Sequence, residues 1–290
     1  MIALLLSILA STTILVVFKL FERFKINNFQ AIVVNYVVAG TFGFLLQGDT
    51  EKMATLYQFS WFYYALALGS FFISIFFLMA LTTQRSGLSV VSVATKMSVV
   101  IPIIFGLLYY KESLGILKGI GILLALFAVY LASIKNKHGL TIQKKNLIFP
   151  LLVFLGSGII DTGIKFIEEG FVAPEDVAIF SSTLFYAAGS IGLLALLVQK
   201  LKGTLKFETK SILGGIALGI PNFFSLYFLV GALRSDIMES SGIFTVNNIG
   251  IVTLSTFVAI LLFKEKLILK NWLGIILALV SIGLIALSKM

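Results

Sequence analysis

The sequence predicts an all-α membrane protein with ten transmembrane helices arranged as two inverted five-helix repeats. Three observations predict it. Of the 290 residues, 59% are hydrophobic and only 12% charged, with a mean hydropathy of +1.07. A soluble domain carries about 25% charged residues, so no water-facing surface could be covered here. Ten runs of about 20 apolar residues each match the length needed to cross about 30 Å of hydrocarbon. Finally, a short motif recurs at a constant offset near half the chain length.

The ten spans are 2–21, 29–47, 60–83, 87–109, 114–134, 146–168, 176–199, 211–233, 240–263 and 268–288. None shows the alternating pattern of about 10 residues that marks a transmembrane β-strand. Met1 to Leu20 lacks a basic n-region and an A-x-A-like site, so it reads as the first span and not as a signal peptide. The connections are short and leave no room for a soluble catalytic domain. No cysteine is present, which excludes a disulfide scaffold.

Net charge is +9, which in a soluble chain would suggest nucleic acid. In a membrane protein it reflects basic loops held on the cytoplasmic side. One alternating set of loops and flanking residues holds Lys19, Arg23, Lys25, Arg85, Lys135, Lys137, Lys144, Lys145, Lys200, Lys202, Lys206, Lys210, Lys264, Lys266 and Lys270. The opposite set, with both termini, holds Lys52, Lys111, Arg234 and Lys289, plus Lys118 and Lys165 near helix ends. The charge distribution therefore predicts both termini away from the cytoplasm, and no nucleic-acid partner.

The repeat is anchored by Lys111-Glu112-Ser113-Leu114 and Lys264-Glu265-Lys266-Leu267, 153 residues apart. Each Glu is followed nine residues later by a glycine, Gly121 or Gly274, and then by Leu124-Ala125 or Leu277-Ala278. Ala67-Leu68-Gly69 matches Ala217-Leu218-Gly219, Gly40 matches Gly189, and Ser11 with Lys19 keeps the spacing of Ser157 with Lys165. Five spans per half is an odd number, so the second half enters the membrane inverted, as in many secondary transporters. The boundary falls between 1–138 and 139–290.

These residues give the chain its likeness to a known group. It resembles the EamA-like branch of the drug/metabolite transporter superfamily over essentially its whole length. The closest fit is the end of spans 4 and 9, with Glu112 or Glu265, Leu114 or Leu267, then Gly121 or Gly274. The family often carries a proline earlier in these spans. Here Pro102 does not sit clearly at that spacing, and the second half has Ser255 nearby. The resemblance implies a secondary transporter, commonly an exporter of amino acids or related metabolites. It also implies a cavity between the halves, spans 5 and 10 outside it, and both termini in the cytoplasm. On this last point it opposes the loop charges.

A charge at a helix centre costs roughly 2.5–3.5 kcal/mol on insertion scales, so it meets a partner or a wet cavity. Lys96 lies near the middle of span 4, on one stripe with Ser89 and Ser92. It can meet a carboxylate or phosphate on a substrate, or form a structural ion pair. Asp161 is the only acid deep within a span. It can pair with Lys165 along its own helix, or with Lys96 across the bundle. It can also take up a proton, which would permit proton coupling. Asn247 and Asn248 in span 9 occupy the repeat positions of Ala94 and Thr95, and Ser241, Thr245, Asn248 and Ser255 share a stripe. Such amides bind substrate or join helices, for roughly 0.6–2 kcal/mol. In span 8, Gly219-Ile220-Pro221-Asn222 followed by Ser225 reads as a broken helix lining the site, or as a packing kink. Asn35 and Tyr36 in span 2 form a weaker polar pair.

Glu112 and Glu265, beside lysines at span ends, read as boundary ion pairs or helix caps. Trp61, Tyr63, Tyr64, Tyr109, Tyr110 and Trp272 read as an interfacial aromatic belt. The sole histidine, His138, is in a loop, and no HExxH, Walker A or GxSxG motif occurs. No cofactor, metal or enzymatic activity is expected.

The predicted function is a secondary transporter, an exporter of a small metabolite such as an amino acid or organic acid, working by alternating access in the inner cell membrane. The expected substrate-binding residues are Lys96, Ser92, Asp161, Asn247, Asn248 and Asn222. The partners are the small-molecule substrate and the lipid bilayer, with the chain a monomer or homodimer. Two rivals are a non-transporting structural or partner-binding subunit, which Gly115 and Gly119 support slightly, and a membrane enzyme acting on lipid.

Overall fold

The computed structural model describes residues 1–47, 52, 54–109, 115–134, 145–233 and 240–287. Among them there is no β-strand, and each of the ten predicted spans coincides with one helix. These are α1 (Ile2–Arg23), α2 (Asn28–Gln47), α3 (Phe62–Ser86), α4 (Leu88–Tyr109), α5 (Ile116–Ser133), α6 (Lys145–Phe171), α7 (Val177–Leu201), α8 (Thr209–Leu233), α9 (Ser240–Leu261) and α10 (Leu269–Leu287). Eight are long and apolar enough to cross a membrane. The described apolar stretches of α5 and α9, Ile116–Ala132 and Val246–Leu261, are shorter. Helices suit this composition because hydrocarbon offers no partner for backbone N–H and C=O groups, and a helix satisfies them internally. The first copy of the repeat anchor, 111–114 with Glu112, lies outside the described residues, as do Tyr110, His138 and the 138/139 boundary.

The helices group into two compact units, neither of which is one half of the sequence. The first comprises Met1–Lys19, Leu78–Asp161 and Phe224–Met290. Its core joins α4, α5, α9 and α10 through Leu88, Val91, Met97, Ala125, Ala128, Val252, Ala259, Ile275, Ala278 and Ile282. The second comprises Leu20–Phe77 and Thr162–Phe223. Phe44, Trp61, Leu68, Ile179, Phe180 and Leu184 form its core. The helix pairs in closest contact are α5 with α10, α2 with α7, and α9 with the first segment of α4. Each joins helices five apart in the order, as equivalent members of a five-helix repeat would be.

The α5–α10 pair shows why small residues recur there. A Cβ on Gly274 would lie 2.5 Å from the Ala132 nitrogen and 2.9 Å from the Ala128 carbonyl oxygen. The Ser281 hydroxyl donates to the Gly121 carbonyl (2.7 Å). Asn271 Nδ2 donates to the carbonyls of Ala132 and Ile134 (both 2.8 Å), and Asn271 Oδ1 accepts the Ile268 N–H (3.0 Å). One amide thus satisfies the open C-terminal end of α5 and the open N-terminal end of α10.

Two expectations are corrected. Gly219-Ile220-Pro221-Asn222 does not break α8, which runs unbroken with Pro221 inside it. Gly219 is instead a close-approach site: a Cβ there would lie 2.8 Å from both the Asn35 carbonyl oxygen and Val38 Cβ on α2. Trp61 is no belt residue. It is 1% exposed, stacked on Phe59 (4.8 Å between centroids) and edge-on to Phe180 (5.4 Å). Tyr63, Tyr64, Tyr109 and Trp272 are exposed, as a belt requires.

Gly274→Ala should lower the unfolding free energy in detergent by about 1–3 kcal/mol through overpacking against α5. Gly283→Ala on the same helix, where a Cβ meets nothing within 4 Å, should leave it unchanged. Thermal unfolding of the two purified variants checks this, and equal stabilities would contradict it.

Candidate functional site

In the first unit, α4 carries Ser89, Ser92, Lys96 and Ser98. This helix has two segments, Leu88–Met97 and Val100–Tyr109, separated by a turn at Ser98–Val99. Pro102 explains the break, since it has no N–H to bond to the Ser98 carbonyl four residues earlier. That carbonyl accepts the Ile101 N–H instead (2.9 Å). The Ser98 hydroxyl lies 2.6 Å from the Thr95 carbonyl oxygen, as a donor to it.

The predicted stripe of Ser89, Ser92 and Lys96 divides into three environments. Ser89 donates to Glu265 Oε2 (3.2 Å) at the N-terminal end. Ser92 is fully buried and accepts from the Ser255 hydroxyl of α9 (2.7 Å). Lys96 is half-buried and, among the described residues, forms no hydrogen bond and no ion pair. Its charged neighbour is Asp161 of α6, with which it interacts electrostatically.

Asp161 is exposed although it lies well inside α6. Its Oδ2 lies 3.2 Å from the Ser98 hydroxyl and shares that group's one hydrogen with the nearer Thr95 carbonyl. One turn earlier, Gly158 packs directly on Ile101 of the second α4 segment. Both contacts link this stretch of α6 to α4. Ser98 was not among the expected site residues. It lies off the stripe of Ser89, Ser92 and Lys96, at the break ahead of Pro102.

Asn247 on α9 is 3% exposed, and its Oδ1 has no hydrogen-bond partner among the described residues. A buried polar atom without a partner is costly, so such atoms are few and call for an explanation. Asn248 is half-buried. The side chains of Ser241 and Thr245, the other members of its stripe, lie outside the described residues. Asn222 belongs to the second unit, where its Nδ2 donates to Asn35 Oδ1 (3.1 Å). Of the six expected residues, Lys96, Ser92, Asp161, Asn247 and Asn248 thus share one unit, and Asn222 joins α8 to α2 in the other.

Chemically, the first unit presents an ammonium with no hydrogen bond, a carboxylate held by one hydroxyl and a buried amide oxygen open to a donor. No group of three or more His, Cys, Asp or Glu side chains that could hold a metal occurs among the described residues.

Comparison with known proteins agrees with this architecture. The sequence profile of the EamA-like transporter family matches residues 1–134. An uncharacterized protein of Haemophilus influenzae is 31% identical over 284 residues, covering 95% of this chain and 94% of its own. A solved crystal structure of a protein that is 14% identical covers 97% of this chain and 96% of its own with a TM-score of 0.58, a likeness of fold alone. The chain belongs to the EamA-like transporter family, and is an integral, multi-pass membrane transporter of the drug/metabolite type.

Proposed function

We propose that this transporter exports a small metabolite bearing a carboxylate, an amino acid or organic acid, by alternating access in the inner cell membrane. The observation that carries the proposal is Lys96: an ammonium in mid-span without a hydrogen bond or ion pair among the described residues. An intramembrane lysine is expensive unless something answers its charge, and a substrate carboxylate does so through a charge-assisted hydrogen bond. Asp161 and the open Asn247 Oδ1 supply acceptors for the ammonium of an amino acid. In this reading Lys96 receives the carboxylate of a zwitterion, and Asp161 with Asn247 receives its ammonium.

Energy comes from a gradient. Asp161 answers Lys96 when the site is empty. With substrate bound, the Asp161 carboxylate holds the substrate's ammonium; a proton taken up by Asp161 replaces that ammonium, so substrate and proton occupy the site in turn and move in opposite senses. Ser92 and Asn248 contribute to the wall of the site, and Asn222 positions α8 in the second unit. The five-helix periodicity and the pairing of equivalent helices support a rocking motion of inverted repeats.

Counterflow in proteoliposomes with labelled amino and organic acids tests the proposal. Saturable exchange in the wild type should fall at least tenfold in Lys96→Ala, the worth of about 1.5–3 kcal/mol for a hydrogen bond to a charged group. A non-saturating, voltage-linked current would identify a channel instead. Asp161→Asn should keep exchange at equal pH on both sides but lose the response to an imposed pH gradient. A gradient response equal to that of the wild type would separate Asp161 from coupling.

A further inference from the structure

The N-terminal end of α4 poses a problem that the sequence near it cannot solve. Leu88 and Ser89 are 0% and 2% exposed, so the first N–H groups of this helix have no water to bond. The residue before them is Gly87, which has no side chain to act as a cap. The acceptor comes from 177 residues away: Glu265 Oε1 accepts the Leu88 N–H at 2.8 Å, while Oε2 accepts the Ser89 hydroxyl.

Both sides of this contact are built for it. Gly87 has φ +113°, open to glycine, and a Cβ there would lie 2.8 Å from the Glu265 carboxylate. Lys264 has φ +52°, a left-handed conformation that non-glycine residues seldom adopt. The Glu265 N–H then bonds back to the Ala259 carbonyl (3.0 Å), closing the turn that delivers its side chain. The carboxylate also meets the positive end of the α4 dipole. A second tie, Ser255 to Ser92, joins the same two helices further along. Lys96 follows on the same α4 segment, about 12 Å from Leu88 at 1.5 Å per residue.

We infer that Glu265 is a positioning residue for transport: by capping α4 from the α9–α10 connection it fixes the depth and orientation of Lys96. This rests on the reading of Lys96 as a substrate-facing cation.

The chain has no cysteine, so a single Lys96→Cys substitution reports on this position without background. The probe is 2-aminoethyl methanethiosulfonate, a small charged thiol reagent that reacts from water. Its rate with the introduced thiol is measured in proteoliposomes with Glu265, Glu265→Ala, Glu265→Gln and Ser89→Ala, and thermal stability is recorded for each. Glu265→Ala leaves buried donors unanswered and should change the rate about tenfold. Glu265→Gln keeps an acceptor for Leu88 and should stay within about threefold of the parent, as should Ser89→Ala, which keeps the Leu88 bond. If Glu265→Ala does not fold, Gly87→Ala, which crowds the carboxylate, replaces it with the same expectation. Rates equal across all folded variants, with only stability lowered, would overturn the inference and leave Lys96 on the water path. A thiol at this position that the reagent reaches in none of them would overturn the reading of Lys96 itself.

Discussion

Hydrocarbon offers no hydrogen bonds, and everything in this structure follows from how its polar atoms are answered without water. The backbone answers itself within ten helices. The helix ends need help, and they receive it from far along the chain. Asn271 serves the ends of α5 and α10 with one amide. Glu265 serves the buried start of α4. A few polar atoms are left over. The Asn247 amide oxygen, like buried atoms of Thr12, Asn35, Trp61 and Ser86, lacks a hydrogen-bond partner among the described residues, and so does the Lys96 ammonium. Leaving them so costs stability; in the proposal above, a bound substrate answers Lys96 and Asn247.

The helix α4 is the element on which these features converge. Pro102 breaks it at Ser98–Val99, the Ser98 hydroxyl at the break reaches both the Thr95 carbonyl and Asp161, and Asp161 interacts electrostatically with Lys96. Most of its first segment is buried and tied to α9. A segment held at one end and interrupted at the other can keep a charged side chain in place while its far half changes direction. The alternating access proposed above uses this combination of a fixed site and a movable surround.

Much of the fold was legible in the sequence, because a run of twenty apolar residues has only one stable form in a bilayer. Lys96 and Asp161 were legible too, as charges where none is cheap. What stayed hidden depends on contacts between distant residues. Pro221 looked like a break, but neighbouring Gly219 serves close packing against α2, and α8 passes through without interruption. Trp61 looked interfacial by its position near a span end, yet it stacks inside a core of aromatic rings. Glu265 was readable as a cap or boundary ion pair, but not as the cap of a helix 177 residues earlier. Ser98 had no pattern of its own, since its contact with Asp161 joins residues 63 apart.

A substrate carboxylate on Lys96 can be tested by changing the ligand and leaving the protein intact. Competition against counterflow is compared for the amino acid that exchanges best and for its carboxamide, which has the same side chain and no negative charge. The carboxamide should compete at least tenfold more weakly with the wild type, and Lys96→Ala should erase the difference. Equal competition by acid and amide in the wild type would contradict it.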